Sequence, residues 1–66
     1  MTGRIRRMLD EVVEKRARGN PTIRSITVTK LVLKGIDPDK FNASSPDDAE
    51  VIARVRQIAA EFGVSL

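Results

Sequence analysis

Three aspartates in the middle of the chain have the spacing of a calcium-binding loop. Asp37, Asp39 and Asp48 fall at positions 1, 3 and 12 of such a loop, where carboxylate oxygens would coordinate the ion. Position 5 is Phe41 where Asp or Asn is needed, and position 6 is Asn42 where a glycine makes the sharp turn. We therefore predict that Asp37, Asp47 and Asp48 cap two helical starts and that the chain holds no metal.

The side chains that most often carry out catalysis are missing from the sequence. There is no histidine and no cysteine, so the commonest general base, the commonest transition-metal ligand and a thiolate nucleophile are all absent. Tyrosine and tryptophan are also absent, and the four glycines are too far apart to form a phosphate-binding loop. We predict that the protein is not an enzyme and uses no cofactor.

Charge is unevenly placed along the chain, whose net charge is +3. Residues 1–34 hold nine basic and three acidic residues, a balance of +6, whereas residues 35–66 hold three basic and six acidic residues, a balance of −3. The basic half could face a polyanion, or the two halves could attract each other. The cations that could contact phosphates are Arg4, Arg6, Arg7, Lys15, Arg16, Arg18 and Arg24. Acids interrupt this run, and no aromatic side chains are available nearby to stack on bases, so nucleic-acid binding is the alternative hypothesis.

The C-terminal sequence resembles the first helix and turn of a helix-turn-helix DNA-binding unit. Residues 58–65 place alanines in a helix, Gly63 at a turn and Val64-Ser65 at the start of what would be the next helix. The sequence ends at Leu66, before any recognition helix that would enter the major groove. We therefore expect an ordinary helix end here.

A second helix-turn-helix arrangement would use the first helix, the Gly19-Asn20 turn and the following segment. Its DNA-reading helix would present Arg24, Ser25, Thr27 and Lys30, which are residue types that reach base edges. Many apolar residues share that segment and must be buried, which weakens this hypothesis.

The first of three helical segments is predicted at residues 3–18. Its apolar residues have the spacing of one helical stripe: Ile5, Met8, Leu9, Val12 and Val13. We expect the ion pairs Glu11–Lys15 and Glu14–Arg18, and Gly19 supplies the left-handed position that commonly ends a helix.

The middle segment, residues 22–33, is ambiguous because seven of its twelve residues are β-branched, which favours a strand. Asn20 as N-cap, Pro21 at the first helical position and Gly35 after the end instead favour a helix. No second strand candidate exists to pair its backbone groups. We predict a helix at 21–34, and the alternative is an α/β fold in which residues 22–33 form a strand paired across a homodimer.

The third helix is predicted at residues 46–62, with the clearest start signal in the chain. Ser45-Pro46-Asp47-Asp48 resembles a capping box, with Ser45 as the N-cap and Pro46 at the first helical position. We expect an ion pair between Glu50 and Arg54, and a Schellman ending in which Val64 folds back after Gly63. In the connector before this helix, Asp37 is expected to cap a short turn, and Ile36 and Phe41 to pin the loop to the core.

The sequence as a whole predicts an all-α, three-helix single domain over residues 1–66, with the second helix in its centre. That helix has too much apolar circumference for a peripheral helix, so it is either the most buried one or meets another chain. We predict a small non-catalytic protein-protein interaction module, whose partner is a second copy or another protein. The expected interface residues are Ile23, Val28, Leu31 and Val32. No apolar run approaches the roughly 20 residues that span a membrane, and the N-terminus lacks the apolar stretch of a signal peptide, so we expect a cytoplasmic protein without membrane contact.

Overall fold

A computed structural model describes residues 2–66, which form three α-helices joined by a tight turn and a longer connector. The helices are α1 (Arg4–Ala17), α2 (Pro21–Leu33) and α3 (Ala49–Glu61), and a short 3-10 helix, Pro38–Lys40, lies in the connector. Residues 2–66 contain no strand. The predicted all-α three-helix fold is therefore confirmed, and the strand alternative for residues 22–33 is wrong.

Both ends of α2 are satisfied within the chain, which explains why its β-branched residues adopt a helix. The Asn20 side-chain oxygen accepts hydrogen bonds from the amides of Thr22, at 2.9 Å, and Ile23, at 3.3 Å. At the other end, the Ile36 amide donates to the Leu31 carbonyl, at 2.9 Å, in a Schellman ending. These end contacts and packing on α1 outweigh an intrinsic strand preference that is small per residue.

The central helix of the fold is α1, so the prediction that the second helix lies in the centre is wrong. The buried residues of α1 are Ile5, Met8, Leu9, Val12, Val13 and Ala17, whereas α2 buries only Thr27 and Leu31. The reason is the distribution of apolar residues. Those of α1 fall in one stripe, while those of α2 are spread around the helix, so only part of them can face inward. Both α2 and α3 pack on α1.

The third helix begins at Ala49, three residues later than predicted, and its N-cap is Asp48 rather than Ser45. The Asp48 carboxylate accepts hydrogen bonds from the amides of Glu50, at 2.9 Å, and Val51, at 3.5 Å. The Schellman ending is confirmed, since the Val64 amide donates to the Ala59 carbonyl at 2.8 Å.

Residues 45–47 do not start α3 because they hold the beginning of α1. The Gly3 amide donates to the Ser45 carbonyl at 3.0 Å, and the Arg4 amide donates to an Asp47 carboxylate oxygen at 3.1 Å. Gly3 has φ +78°, and a Cβ atom there would lie 2.8 Å from the Ala43 carbonyl oxygen. We call residues 2–4 and 45–47 the N-terminal clasp.

The connector is fixed to the core as expected. Asp37 caps the 3-10 helix by accepting a hydrogen bond from the Asp39 amide at 3.0 Å. Ile36 is buried, and Phe41 is partly buried against the core cluster. Within residues 2–66, none of the helices combines the length and the apolar composition needed to cross a membrane.

The expected ion pairs are only partly formed. Glu11 and Lys15 pair at 3.5 Å. Glu14 pairs with Arg24 of α2 rather than with Arg18, because the chain at Arg18 has already left the helix with φ +48°. Glu50 and Arg54 form no ion pair among the contacts described for residues 2–66.

Candidate interaction surface

Only one face of α2 is turned toward the core. Leu31 is fully buried and Thr27, one turn earlier, is 2% exposed. Ile26 and Leu33 lie on the opposite side, where they are 49% and 80% exposed. Because they are seven residues apart, about two turns of a helix, they lie in line along the same face.

We define the α2 outer face by four residues that share one exposed stripe: Ile23, Ile26, Lys30 and Leu33. Their spacing alternates three and four residues, which places them within an arc of about 80° at 3.6 residues per turn. Three are large apolar side chains and one is a cation. This face covers most of the length of the helix and is open to solvent.

The interface residues predicted from the sequence do not form one surface. Ile23 belongs to the α2 outer face. Val32 is also exposed, but it lies outside this face, about 100° around the helix from Leu33. Val28 is partly buried against the core, and Leu31 belongs to the core. Leu31 is therefore unavailable to a partner, and Ile26 and Leu33 are the exposed residues that the sequence analysis missed.

A threonine in the core explains why the orientation of α2 was hard to predict. The hydroxyl of Thr27 donates to the Ile23 carbonyl at 2.7 Å, so its only side-chain polar group is satisfied when buried. This bond makes Thr27 compatible with an apolar environment. When Thr27 and Leu31 face the core, Ile26 and Leu33 face outward. Residue type alone predicts the opposite preference, because isoleucine and valine are buried more often than threonine.

A cleft of about 500 Å³ opens beside the α2 outer face. Its walls come from all three helices and their ends: Arg16, Lys30, Leu33, Lys34, Glu61 and Phe62. Lys34 Nζ and Glu61 Oε2 lie 2.7 Å apart and link the ends of α2 and α3. The Phe62 ring packs partly against the core and supplies apolar surface to the cleft. We call this the lateral cleft.

The lateral cleft carries unmatched positive charge. Of its three cations, Lys34 pairs with Glu61. Arg16 and Lys30 form no ion pair with any residue in the described range 2–66. There is also no acidic residue between Asn20 and Ile36, so α2 itself cannot neutralise them. The α2 outer face and the lateral cleft thus place exposed apolar side chains next to cations that have no ion-pair partner among residues 2–66.

Three of the predicted phosphate-contacting cations are engaged within the chain. Arg6 donates to the Pro38 carbonyl at 2.8 Å and pairs with Asp10 at 3.2 Å. Lys15 donates to the Ser65 carbonyl at 2.6 Å. Arg24 pairs with Glu14 of α1. These residues help to hold the elements together, so they are less available to an external polyanion.

The remaining basic residues do not form a continuous basic face. Arg4 and Arg7 are exposed on the outward side of α1, Arg18 is exposed just after its end, and Arg16 lies apart from them in the lateral cleft. Helical spacing places Glu11 and Glu14 among the outward arginines. The second helix-turn-helix arrangement also loses two of its four expected DNA contacts, because Thr27 is buried and Arg24 is held by Glu14.

Two of the aspartates at the calcium-loop positions, Asp37 and Asp48, act as helix caps. Asp37 and Asp48 each accept hydrogen bonds from amides of the turn that they begin. In the part of the chain that the structure describes, no three Asp, Glu, His or Cys side chains come together as metal ligands. Comparison with protein-family models, curated proteins and solved structures finds no match for this chain.

Proposed function

We propose that this protein is a small non-catalytic module that binds another protein chain through the α2 outer face. The observation that carries the proposal is the exposure of Leu33 and Ile26 in line on a helix that has only one face in the core. Soluble monomers expose single apolar residues routinely, but aligned apolar residues beside a cleft are typical of a binding surface. Burial of this face would remove from water Leu33, the most exposed of the large apolar side chains among residues 2–66.

The free energy available from burying the α2 outer face indicates that the partner must also contact residues outside it. Full burial of a leucine or isoleucine side chain contributes about 2 kcal/mol. Association itself costs several kcal/mol in lost translational and rotational freedom, with about 4 kcal/mol as the lowest estimate. The three apolar residues of the face therefore support only weak binding, and we propose that Phe62 and the cations of the lateral cleft complete the interface.

Nucleic-acid binding through Arg4, Arg7 and Arg18 is the competing proposal. Each phosphate contact would release counterions and make binding steeply dependent on salt. The acids interleaved with these arginines weaken the local positive potential. The apolar face of α2 would have no role in such binding, so the two proposals assign function to different sides of the molecule.

A pull-down with surface variants tests the proposal. We propose that the protein acts in the cytoplasm, so the bait is presented to a cytoplasmic extract of the cells that express it. The test variant is Ile26→Ser/Leu33→Ser, which alters two exposed residues of the face. The control is Leu66→Ser, because Leu66 is an exposed leucine, 45% accessible, that lies outside the face.

The expected result is a protein that the wild type and Leu66→Ser retain equally and that Ile26→Ser/Leu33→Ser loses. Equal retention by all three baits would contradict the use of the α2 outer face. Retention of nuclease-sensitive material that disappears at high salt, and that does not depend on Leu33, would favour the competing proposal.

A further inference from the structure

We infer that the partner segment is an amphipathic helix of a different protein, with acidic residues beside its apolar stripe. This inference rests on the proposed function and adds the chemistry of the partner. It depends on three features of the described residues, namely the spacing of the α2 outer face, the cations beside it and the way in which two copies of that face would meet.

The spacing of the α2 outer face fits a second helix. Ile23, Ile26, Lys30 and Leu33 follow one another at intervals of three, four and three residues. This is the spacing at which one helix presents side chains to a neighbouring helix along a shared seam. The helix has 13 residues and is about 20 Å long at 1.5 Å per residue, so the matching segment is about three to four turns.

The charges along this seam select an acidic partner. Lys30 lies in the middle of the stripe, and Arg16 projects into the lateral cleft beside it. Neither has an ion-pair partner among residues 2–66. Glutamate or aspartate flanking the partner's apolar stripe would meet both cations, whereas lysine at the same places would be repelled.

A second copy of this chain fits the surface poorly. A two-fold dimer through the face would place both copies of Lys30 in one interface, and α2 offers no acid to pair with them. Docking the face on the acidic N-terminal end of α3 in another copy would join two different patches. Such a head-to-tail contact forms an open chain unless its rotation closes a ring.

A peptide selection tests the inference with the full chain as target. The probe is a displayed library of 16-residue helical peptides with a fixed leucine stripe of three-four spacing. Each position flanking the stripe encodes Glu, Lys or Gln. We expect selection on the wild-type protein to enrich Glu over Lys by at least tenfold at these positions. Enrichment of Lys, equal recovery of all three residues, or no enrichment would overturn the inference.

Charge reversal on the protein gives a matched control. The most enriched peptide, made synthetically, should bind Lys30→Glu about tenfold more weakly than wild type, because an attraction becomes a repulsion of similar size. Lys40→Glu changes an exposed lysine in the 3-10 helix that belongs neither to the α2 outer face nor to the lateral cleft, and it should alter the dissociation constant by less than about twofold. An equal effect of the two reversals would show that only net charge matters and would overturn the inference.

Other occupants give different outcomes. If sedimentation equilibrium shows a wild-type dimer that Leu33→Ser dissociates, the proposed function stands and this inference is overturned. If no peptide is selected and the protein binds anionic lipid vesicles through Leu33, both the inference and the proposed function are overturned. A monomer that selects glutamate-flanked peptides supports both.

Discussion

The Asp47 carboxylate accepts a hydrogen bond from the Arg4 amide, 43 residues earlier in the chain, at 3.1 Å. The N-cap of α1 is Gly3, which has no side chain to satisfy the free amides of the first turn. Asp47 supplies both the missing acceptor and a negative charge at the positive end of the helix dipole. A residue of the connector thus caps the central helix.

The first prediction concerns this cap. Asp47→Ala should lower the free energy of unfolding by about 1 kcal/mol, the usual contribution of a helix N-cap. Asp47→Asn keeps the acceptor oxygen and loses only the charge, so it should cost less than half as much. Urea unfolding with an unchanged m-value measures both effects. Equal losses for the two variants would show that the charge, and not the hydrogen bond, is what stabilises the clasp.

The second prediction concerns the close approach at Gly3. Gly3→Ala should destabilise the protein by about 2–3 kcal/mol, because it combines a left-handed backbone with a Cβ too close to the Ala43 carbonyl. Gly63→Ala is the matched control, since Gly63 has a similar φ of +73° and no neighbour within 4 Å of an added Cβ. It should cost only about 1 kcal/mol. Thermal unfolding that ranks the two variants equally would contradict the clasp geometry.

The third prediction separates two leucines on the same helix. Leu31→Ala should lower the free energy of unfolding by about 2–5 kcal/mol, because it leaves a cavity in the core. Leu33→Ala should change it by no more than about 0.5 kcal/mol, as expected for an exposed side chain. The comparison uses denaturant midpoints of the two variants. Similar losses at both positions would mean that α2 presents a different face to the core.

The fourth prediction asks what Thr27 contributes. Thr27→Val replaces the hydroxyl with a methyl group of similar volume and should change stability by less than about 1 kcal/mol, because the Ile23 carbonyl can still accept the backbone bond of the helix. Thr27→Ser keeps the hydroxyl but removes a buried methyl group, which should cost about 1 kcal/mol. A larger loss for Thr27→Val than for Thr27→Ser, by urea unfolding, would show that the hydroxyl bond dominates.

The ends of the helices could largely be predicted from the sequence because their signals are local. Asn20 caps α2, and the bonds after Gly35 and Gly63 close α2 and α3 as the residue types indicate. The predicted start of α3 is wrong because Ser45 and Asp48 are both good N-cap residues and lie three residues apart. Which of them caps the helix depends on a contact of residues 45–47 with α1. Long-range contacts of this kind have no signature within a short stretch of sequence.

The candidate site could be predicted only in part. The sequence indicates that α2 has too much apolar circumference for a peripheral helix, which left two alternatives: a central, buried helix, or an interface with another chain that includes Ile23 and Val32. It did not show which stripe faces inward, because that depends on a buried threonine whose hydroxyl is satisfied within its own helix. The lateral cleft joins Arg16, Lys30 and Phe62 from three separate helices or helix ends, so helical spacing alone could not identify it.

The most direct test of the proposed function is site-specific photo-cross-linking in cells that express the protein. A photoreactive side chain is placed at Leu33 on the α2 outer face, or at Arg7 on the outward side of α1. Both positions are exposed, so neither replacement disturbs the core. We predict a cross-linked protein adduct from position 33 and none from position 7. An adduct from position 7 alone, or a nucleic-acid adduct from position 7 with nothing at position 33, would contradict binding of a protein partner through α2.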